Sequence, residues 1–263
     1  MRSWYQVMSE SEAIKMSTTK MNNTFDRTLL RLSAIVLFLG ELLFGVAGYL
    51  HPAHEPANSH MAVFAEYANS ENWTLVHLGQ FAGMLVIVAG LLVLFRALNV
   101  HSGMAGLIAQ GAAVSAVVTL ALYGILQAID GVALKQVVDA WAAAPEAEKA
   151  ARFASAEAIR WLEWGGRSYQ DFMFGITFVL FAIVIVWTAR IPRPVGLLVG
   201  LTGIAYMAQG FVTGSEGFSA NNSVPTLLAY ALWLVWSIWL LIVAWRSKES
   251  TSLRAQASTN MAN

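Results

Sequence analysis

The sequence predicts an all-α protein, a polytopic membrane helix bundle of about six transmembrane helices with an outer interfacial helical segment. Three observations predict it. Of 263 residues, 57% are hydrophobic and 12% charged, about half the charged share of a soluble domain. Six stretches, roughly 29–50, 74–95, 104–127, 171–189, 195–214 and 226–245, are apolar over the ~20 residues a helix needs to cross the hydrocarbon core. The basic residues also segregate. With the N-terminus inside, Arg2, Lys15, Lys20, Arg27, Arg31, Arg96, Arg190, Arg193, Arg246, Lys248 and Arg254 fall on the inner side. Lys135, Lys149, Arg152, Arg160 and Arg167 fall on the outer side. By the positive-inside rule both termini are then cytoplasmic.

Taken in chain order, residues 1–28 are polar and read as a disordered cytoplasmic tail. The first apolar stretch is too long for the core of a cleaved signal peptide and contains Glu41, so it reads as a span. Gly40, Gly45 and Gly48 allow close helix approach there. An outer loop, 51–73, follows. In the second span His77, Gln80 and Met84 recur at i, i+3 and i+7, one helical face. Tyr123, Gln127 and Asp130 do the same at the outer end of the third.

The second outer loop, 128–170, reads as helical, with Pro145-Glu146 as a start and Gly165-Gly166 as a stop. Phe153, Ala156, Ile159 and Leu162 recur at three-residue spacing, and Glu157–Arg160 and Glu163–Arg167 are spaced as helical ion pairs. Trp161 and Trp164 suit a helix at the lipid–water boundary. Pro192 and Pro194 enforce a tight hairpin between the fourth and fifth spans. Gln209, Thr213 and Glu216 form a stripe at the outer end of the fifth, with Tyr206 one turn deeper. Pro225 occupies a first-turn position of the sixth, and 247–263 reads as a second cytoplasmic tail. The membrane domain is therefore expected over 29–246.

Composition also excludes chemistry. With no cysteine there is no iron–sulfur cluster, thiolate metal site or c-type haem. The balance of 16 basic and 16 acidic residues offers no basic face for nucleic acid. A transition metal would need histidine and carboxylate ligands.

Polar groups inside spans are costly and by default mark function. Here they concentrate at the outer ends, whereas 85–95, 176–187 and 195–201 are almost wholly aliphatic, aromatic or glycine. Gln110 is the main exception. The pattern predicts a cavity opening outward over an apolar floor. Glu41 stands near mid-membrane with no Lys or Arg at its depth, so it is expected to be protonated or paired with a donor. Four histidines, His51, His54, His60 and His77, lie on the outer side. Their spacing matches no metal motif, and Pro52 and Pro56 argue against one helix presenting His51 and His54 together.

The candidate catalytic residues are Glu41, His77 and Asp130. The candidate binding residues are Gln80, Tyr123, Gln127, Gln209 and Glu216, and the candidate metal ligands are His54, His60 and His77. The plainer account treats the amides and hydroxyls as interhelical hydrogen bonds, each contributing roughly 1 kcal/mol, and the loop histidines as hydrated surface.

The run Ile129-Asp130-Gly131-Val132-Ala133-Leu134-Lys135, followed by Asp139-Ala140-Trp141 and Ala158-Ile159-Arg160-Trp161-Leu162-Glu163, with Trp73-x-x-x-His77-Leu78 before it, resembles a broad set of bacterial multi-span membrane proteins. Their second span opens on a tryptophan and a histidine. The resemblance covers roughly 30–245 and implies a bacterial cytoplasmic-membrane location. That set has no established activity, so it supplies no catalytic residue. Three functional readings follow. The first is an outward-facing site, of a membrane enzyme or a binding protein, for a small apolar or lipid-like molecule or a metal. The others are a small-molecule or proton-coupled transporter and a structural or regulatory membrane component.

Overall fold

The computed structural model describes residues 26–246, so the expected tails, apart from 26–28, lie outside the described residues. The fold is all-α. In chain order the helices are α1 (Arg27–Tyr49), α2 (His60–Ala68), α3 (Trp73–Leu98), α4 (Gly103–Gln127), a π-helical segment (Ala128–Leu134), α5 (Lys135–Ala142), α6 (Glu146–Thr188), α7 (Arg193–Glu216), a short 3-10 turn (Ala220–Asn222) and α8 (Ser223–Arg246). Six units are long and apolar enough to cross a membrane: α1, α3, α4 with its extension to Ala142, α6, α7, and α8 with the 3-10 turn. They match the six stretches read from the sequence. The molecule is a multi-span membrane bundle.

Local chemistry sets the helix ends. Asp26 caps α1, its Oδ1 accepting from the N–H groups of Thr28 at 2.9 Å and Leu29 at 3.1 Å. Pro192 stands at the N-cap of α7 and Pro194 in its first turn, where the lost N–H costs nothing. At the same end, arginines satisfy carbonyls at helix C-termini. Arg31 Nε donates to Ala244 O at 3.1 Å, Arg193 Nε to Val186 O at 3.2 Å, and the Arg190 guanidinium to Leu98 O.

The spans form a closed ring in sequence order. Each packs on its neighbour along the chain, and α8 closes on α1. Midway along the ring the interior is filled by Phe174, Phe178, Tyr206, Trp233 and Trp236, with ring centroids 4.5–6.5 Å apart. Gly175 and Gly203 put α6 and α7 in backbone contact. A Cβ on Gly203 would stand 2.6 Å from Gly175 O, so these glycines serve packing within unbroken helices. Glu41 is buried, its Oε2 accepting from Ser237 Oγ at 2.6 Å. The donor expected for it is thus a neutral hydroxyl.

The 128–170 stretch departs from expectation in two ways. No helix stops at Gly165-Gly166: α6 runs unbroken from Glu146 to Thr188. Glycine costs roughly 1 kcal/mol in a helix interior. Tertiary anchors on the following turn override it, including Ser168 Oγ donating to Gly210 O at 2.7 Å. The expected ion pairs also re-partner. Arg160 binds Glu163 at 2.6 Å, Arg167 binds Asp171 at 3.0 Å, and Glu157 takes His60 at 2.9 Å. Trp161 is exposed, as expected of a boundary residue. The stretch does not lie apart from the bundle. It extends α4 and α6, and with α2 it closes one end of the ring over a second core of Val63, Phe64, Tyr67, Trp73, Leu134, Val138 and Ala156.

Candidate metal centre

Beneath this cap lies a cavity of about 520 Å³, within the usual size of a small-molecule site. His51 and Asp130 line it, and His77 adjoins them. His51 follows the last turn of α1, His77 stands one turn into α3, and Asp130 lies in the π-helical segment. One nitrogen from each histidine and one Asp130 oxygen all lie within 4.8 Å of one another. At metal–ligand bonds of about 2.1 Å, two donors on one ion stand at most about 4.2 Å apart. At the tetrahedral spacing of about 3.4 Å the trio would contract by up to about 1.4 Å at its widest.

Each imidazole is fixed by a backbone carbonyl. His77 Nδ1 lies 2.7 Å from Trp73 O, and His51 Nδ1 lies 2.8 Å from Pro52 O. A carbonyl only accepts, so both Nδ1 atoms carry the proton. The Nε2 of His77 faces Asp130 Oδ2 at 3.2 Å. Neither His77 Nε2 nor Asp130 Oδ1 has a hydrogen-bond partner. Carbonyl-oriented imidazole with the second nitrogen free is the arrangement of a metal ligand. Burial holds the His51 imidazole below its ordinary value, against the opposing pull of Asp130. That keeps it in the neutral form that coordinates metal.

The sequence builds this corner through close approach. The ring of Trp73 lies tilted between Tyr67 at 4.5 Å and His77 at 4.4 Å, and His51 lies 5.1 Å from His77. Trp73 Nε1 donates to Gly131 O at 3.1 Å, which anchors the π segment. A Cβ on Gly131 would meet His77 Cβ at 2.8 Å, so only glycine lets Asp130 reach the imidazole. π-helical turns recur at functional sites for this kind of re-aiming.

Arg160, Glu163 and Arg167 also line the cavity; Arg160 and Glu163 form a buried ion pair, and half-buried Arg167 pairs with buried Asp171. Arg160 also donates from Nη2 to Ala57 O at 3.3 Å and lies 4.9 Å over the Phe218 ring. Its Nε has no partner. Burial raises Tyr67, leaving a neutral phenol on the cavity wall.

The sequence-named residues divide. Asp130, Gln80, Tyr123, Gln127 and Gln209 line the cavity, with Gln127 Nε2 donating to Gln80 Oε1 at 3.3 Å. His77 adjoins through Asp130. Glu41 is not among the lining residues. Glu216 is exposed at the end of α7, where it accepts from Ser219 and Asn221, each at 2.8 Å. His54 is exposed and binds Glu66 at 2.7 Å. His60 binds Glu157 and stacks on Phe64 at 5.5 Å. The structure thus brings His51, rather than His54 or His60, to His77. Sequence reasoning also left Arg160, Arg167 and Asp171 outside the site. Asp171 four residues after Arg167 was the available signal.

Compared with known proteins, the chain matches no family model, no curated protein and no solved structure.

Proposed function

We propose that this multi-span membrane protein is a metalloenzyme whose divalent transition-metal ion is held by His51, His77 and Asp130 at the wall of the polar cavity. One observation carries the reading. Both imidazoles donate from Nδ1 to a backbone carbonyl, while His77 Nε2 faces Asp130 Oδ2 at 3.2 Å and Asp130 Oδ1 is buried without a partner. Two neutral imidazoles and one carboxylate, with further positions open, is the donor set of catalytic zinc and of non-haem iron(II). An ion there would polarise a substrate oxygen and, if zinc, lower the pKa of bound water to about 7.

In this reading Trp73 O and Pro52 O orient the ligands, while Arg160 and Arg167 offer charge to a substrate group across the cavity. The aromatic layer below favours a one-sided site over a path through the bilayer. From the distribution of lysine and arginine, the cavity end faces away from the cytoplasm, and the resemblance supports a bacterial cytoplasmic membrane. Glu41 is then an interhelical partner of Ser237 rather than a catalytic acid.

The test is metal stoichiometry on detergent-purified protein dialysed against zinc, manganese or iron(II). Wild type is expected to retain one equivalent, and His51→Ala and His77→Ala to lose it. A His54→Ala/His60→Ala double variant is expected to keep it. A wild type that retains no metal, or a double variant that loses it while His51→Ala does not, would sink the assignment.

A further inference from the structure

We propose, resting on the metal-centre reading, that the ligand of this site is an amphiphile with an oxyanion head. Its alkyl chain reaches the centre from the bilayer, through a groove between α3 and the junction of α4 with the π segment. A second hollow of about 310 Å³ lies there, lined by His77, Leu78, Phe81, Gly124, Gln127 and Val132 among others. Its lining is mainly apolar. Leu78 and Val132 are 61% and 57% exposed on two membrane-spanning units, so the groove opens on the lateral surface of the bundle, toward its capped end.

The groove and the polar cavity share a wall. Gln127 lines both. The His77 ring lines the groove, and its Nε2 points to Asp130, which lines the cavity. The Gln127 side chain stands in that partition, with a long hydrogen bond of 3.3 Å to Gln80, a hydrogen-bonding contact with Tyr123 and an Oε1 buried without a partner. Rotation of that one amide side chain would join an apolar space to a polar one at the metal ligands. A wholly water-soluble ligand gives the groove no use, and a pure hydrocarbon gives the cavity none.

Charge selects the head. A divalent ion with Arg160 and Arg167 outweighs Asp130, Glu163 and Asp171 by one positive charge, and the buried Nε of Arg160 lacks an acceptor. A carboxylate or phosphate supplies the missing acceptor and an oxygen for the ion.

The experiment uses zinc-loaded protein in lipid nanodiscs and a dodecanoate probe carrying a diazirine on its chain, with labelled peptides mapped by mass spectrometry. Labelling is expected to concentrate on 74–81 and 124–132. Dodecanoate and dodecyl phosphate should compete it away, with their ranking naming the preferred head. Acetate and dodecyltrimethylammonium should not compete. Gly124→Leu, whose Cβ would lie 3.5 Å from Phe81, should fill the groove and lower labelling about tenfold with metal content unchanged. Labelling spread over every lipid-facing surface and indifferent to Gly124→Leu overturns the groove, and equal competition by the cationic amphiphile overturns the oxyanion head. Metal content of the same samples reports separately on the centre. Focused labelling in protein that binds no ion would sink the metal reading and leave the groove supported.

Discussion

His77 Nε2 and Asp130 Oδ2 face each other across 3.2 Å, while His77 Nδ1 donates to Trp73 O. Two lone pairs at that separation repel unless a cation or a second proton lies between them. The buried corner built by Trp73, Gly131 and the π segment is thus more stable with a proton or a metal ion in place, and metal affinity separates a ligand role from a structural one.

Asp130→Asn makes the separation measurable. Its amide can donate to Nε2, replacing a repulsive contact with a hydrogen bond that contributes about 1 kcal/mol. Without metal, the variant should unfold at the wild-type temperature or slightly above it. Losing a partner that only orients a ligand costs about 10–100-fold in metal affinity, so losing the carboxylate ligand itself should cost more than about 100-fold. Thermal unfolding with and without metal, beside equilibrium dialysis, checks both halves. Undiminished affinity in Asp130→Asn would remove Asp130 from the ligand set.

A pair of glycine substitutions tests the close approach. In Gly131→Ala the new methyl meets His77 Cβ at 2.8 Å. Overpacking of this kind costs about 1–3 kcal/mol and should push the imidazole from Asp130, lowering metal affinity while helicity by circular dichroism is retained. Gly165→Ala meets nothing within 4 Å inside a continuous helix. It should stabilise by up to about 1 kcal/mol and leave metal binding alone. Equal effects at the two sites would show that helix propensity, and not contact with His77, decides the outcome.

The buried pair Arg167–Asp171 predicts non-additivity. Asp171→Leu alone strands a guanidinium that is largely buried, at a cost of about 3–5 kcal/mol. The double variant Arg167→Met/Asp171→Leu should recover most of that, since an apolar pair of similar volume is often as stable as the ions it replaces. Thermal stability in detergent of the two single variants and the double variant gives the coupling. Additive losses would mean that the two residues do not act as a pair.

The spans were legible because apolar length and hairpin prolines are local properties. The stripes His77–Gln80 and Tyr123–Gln127–Asp130 were legible because three- and four-residue spacing marks a helical face. Other features depend on what packs opposite. Helical spacing gives Arg160 a choice of Glu157 or Glu163 and gives Arg167 a choice of Glu163 or Asp171, and only burial in the ring selects the second of each. Histidine density drew attention to His54 and His60. His51 reaches His77 because it leaves the end of α1 directly against Trp73, a tertiary contact with no signature in spacing. The π segment is equally silent, since its register is set by Trp73 holding Gly131 O.

Acid should release the loop between α1 and α2 before the bundle itself responds. Burial raises the Glu66 carboxyl, but the N–H of His54 at 3.0 Å, the His54 ring at 2.7 Å and the N–H of Glu55 at 3.1 Å outweigh it, and the net shift is downward. A carboxyl held below its unfolded value, about 4.3 for glutamate, contributes stability that is fully present above that value. The contribution fades as pH falls through the lower folded value. The sequence lacks cysteine, so Ser59→Cys gives a single attachment point for a spin label on this loop. Label mobility should be low and constant from neutrality down to about pH 5, then rise as Glu66 takes up its proton. Glu66→Gln in the same background should be mobile across the whole range. A loop that stays immobile in acid, or is unaffected by Glu66→Gln, would show that Asn58 and Ala57, through their contacts with Glu216 O and Arg160, hold it without the carboxylate.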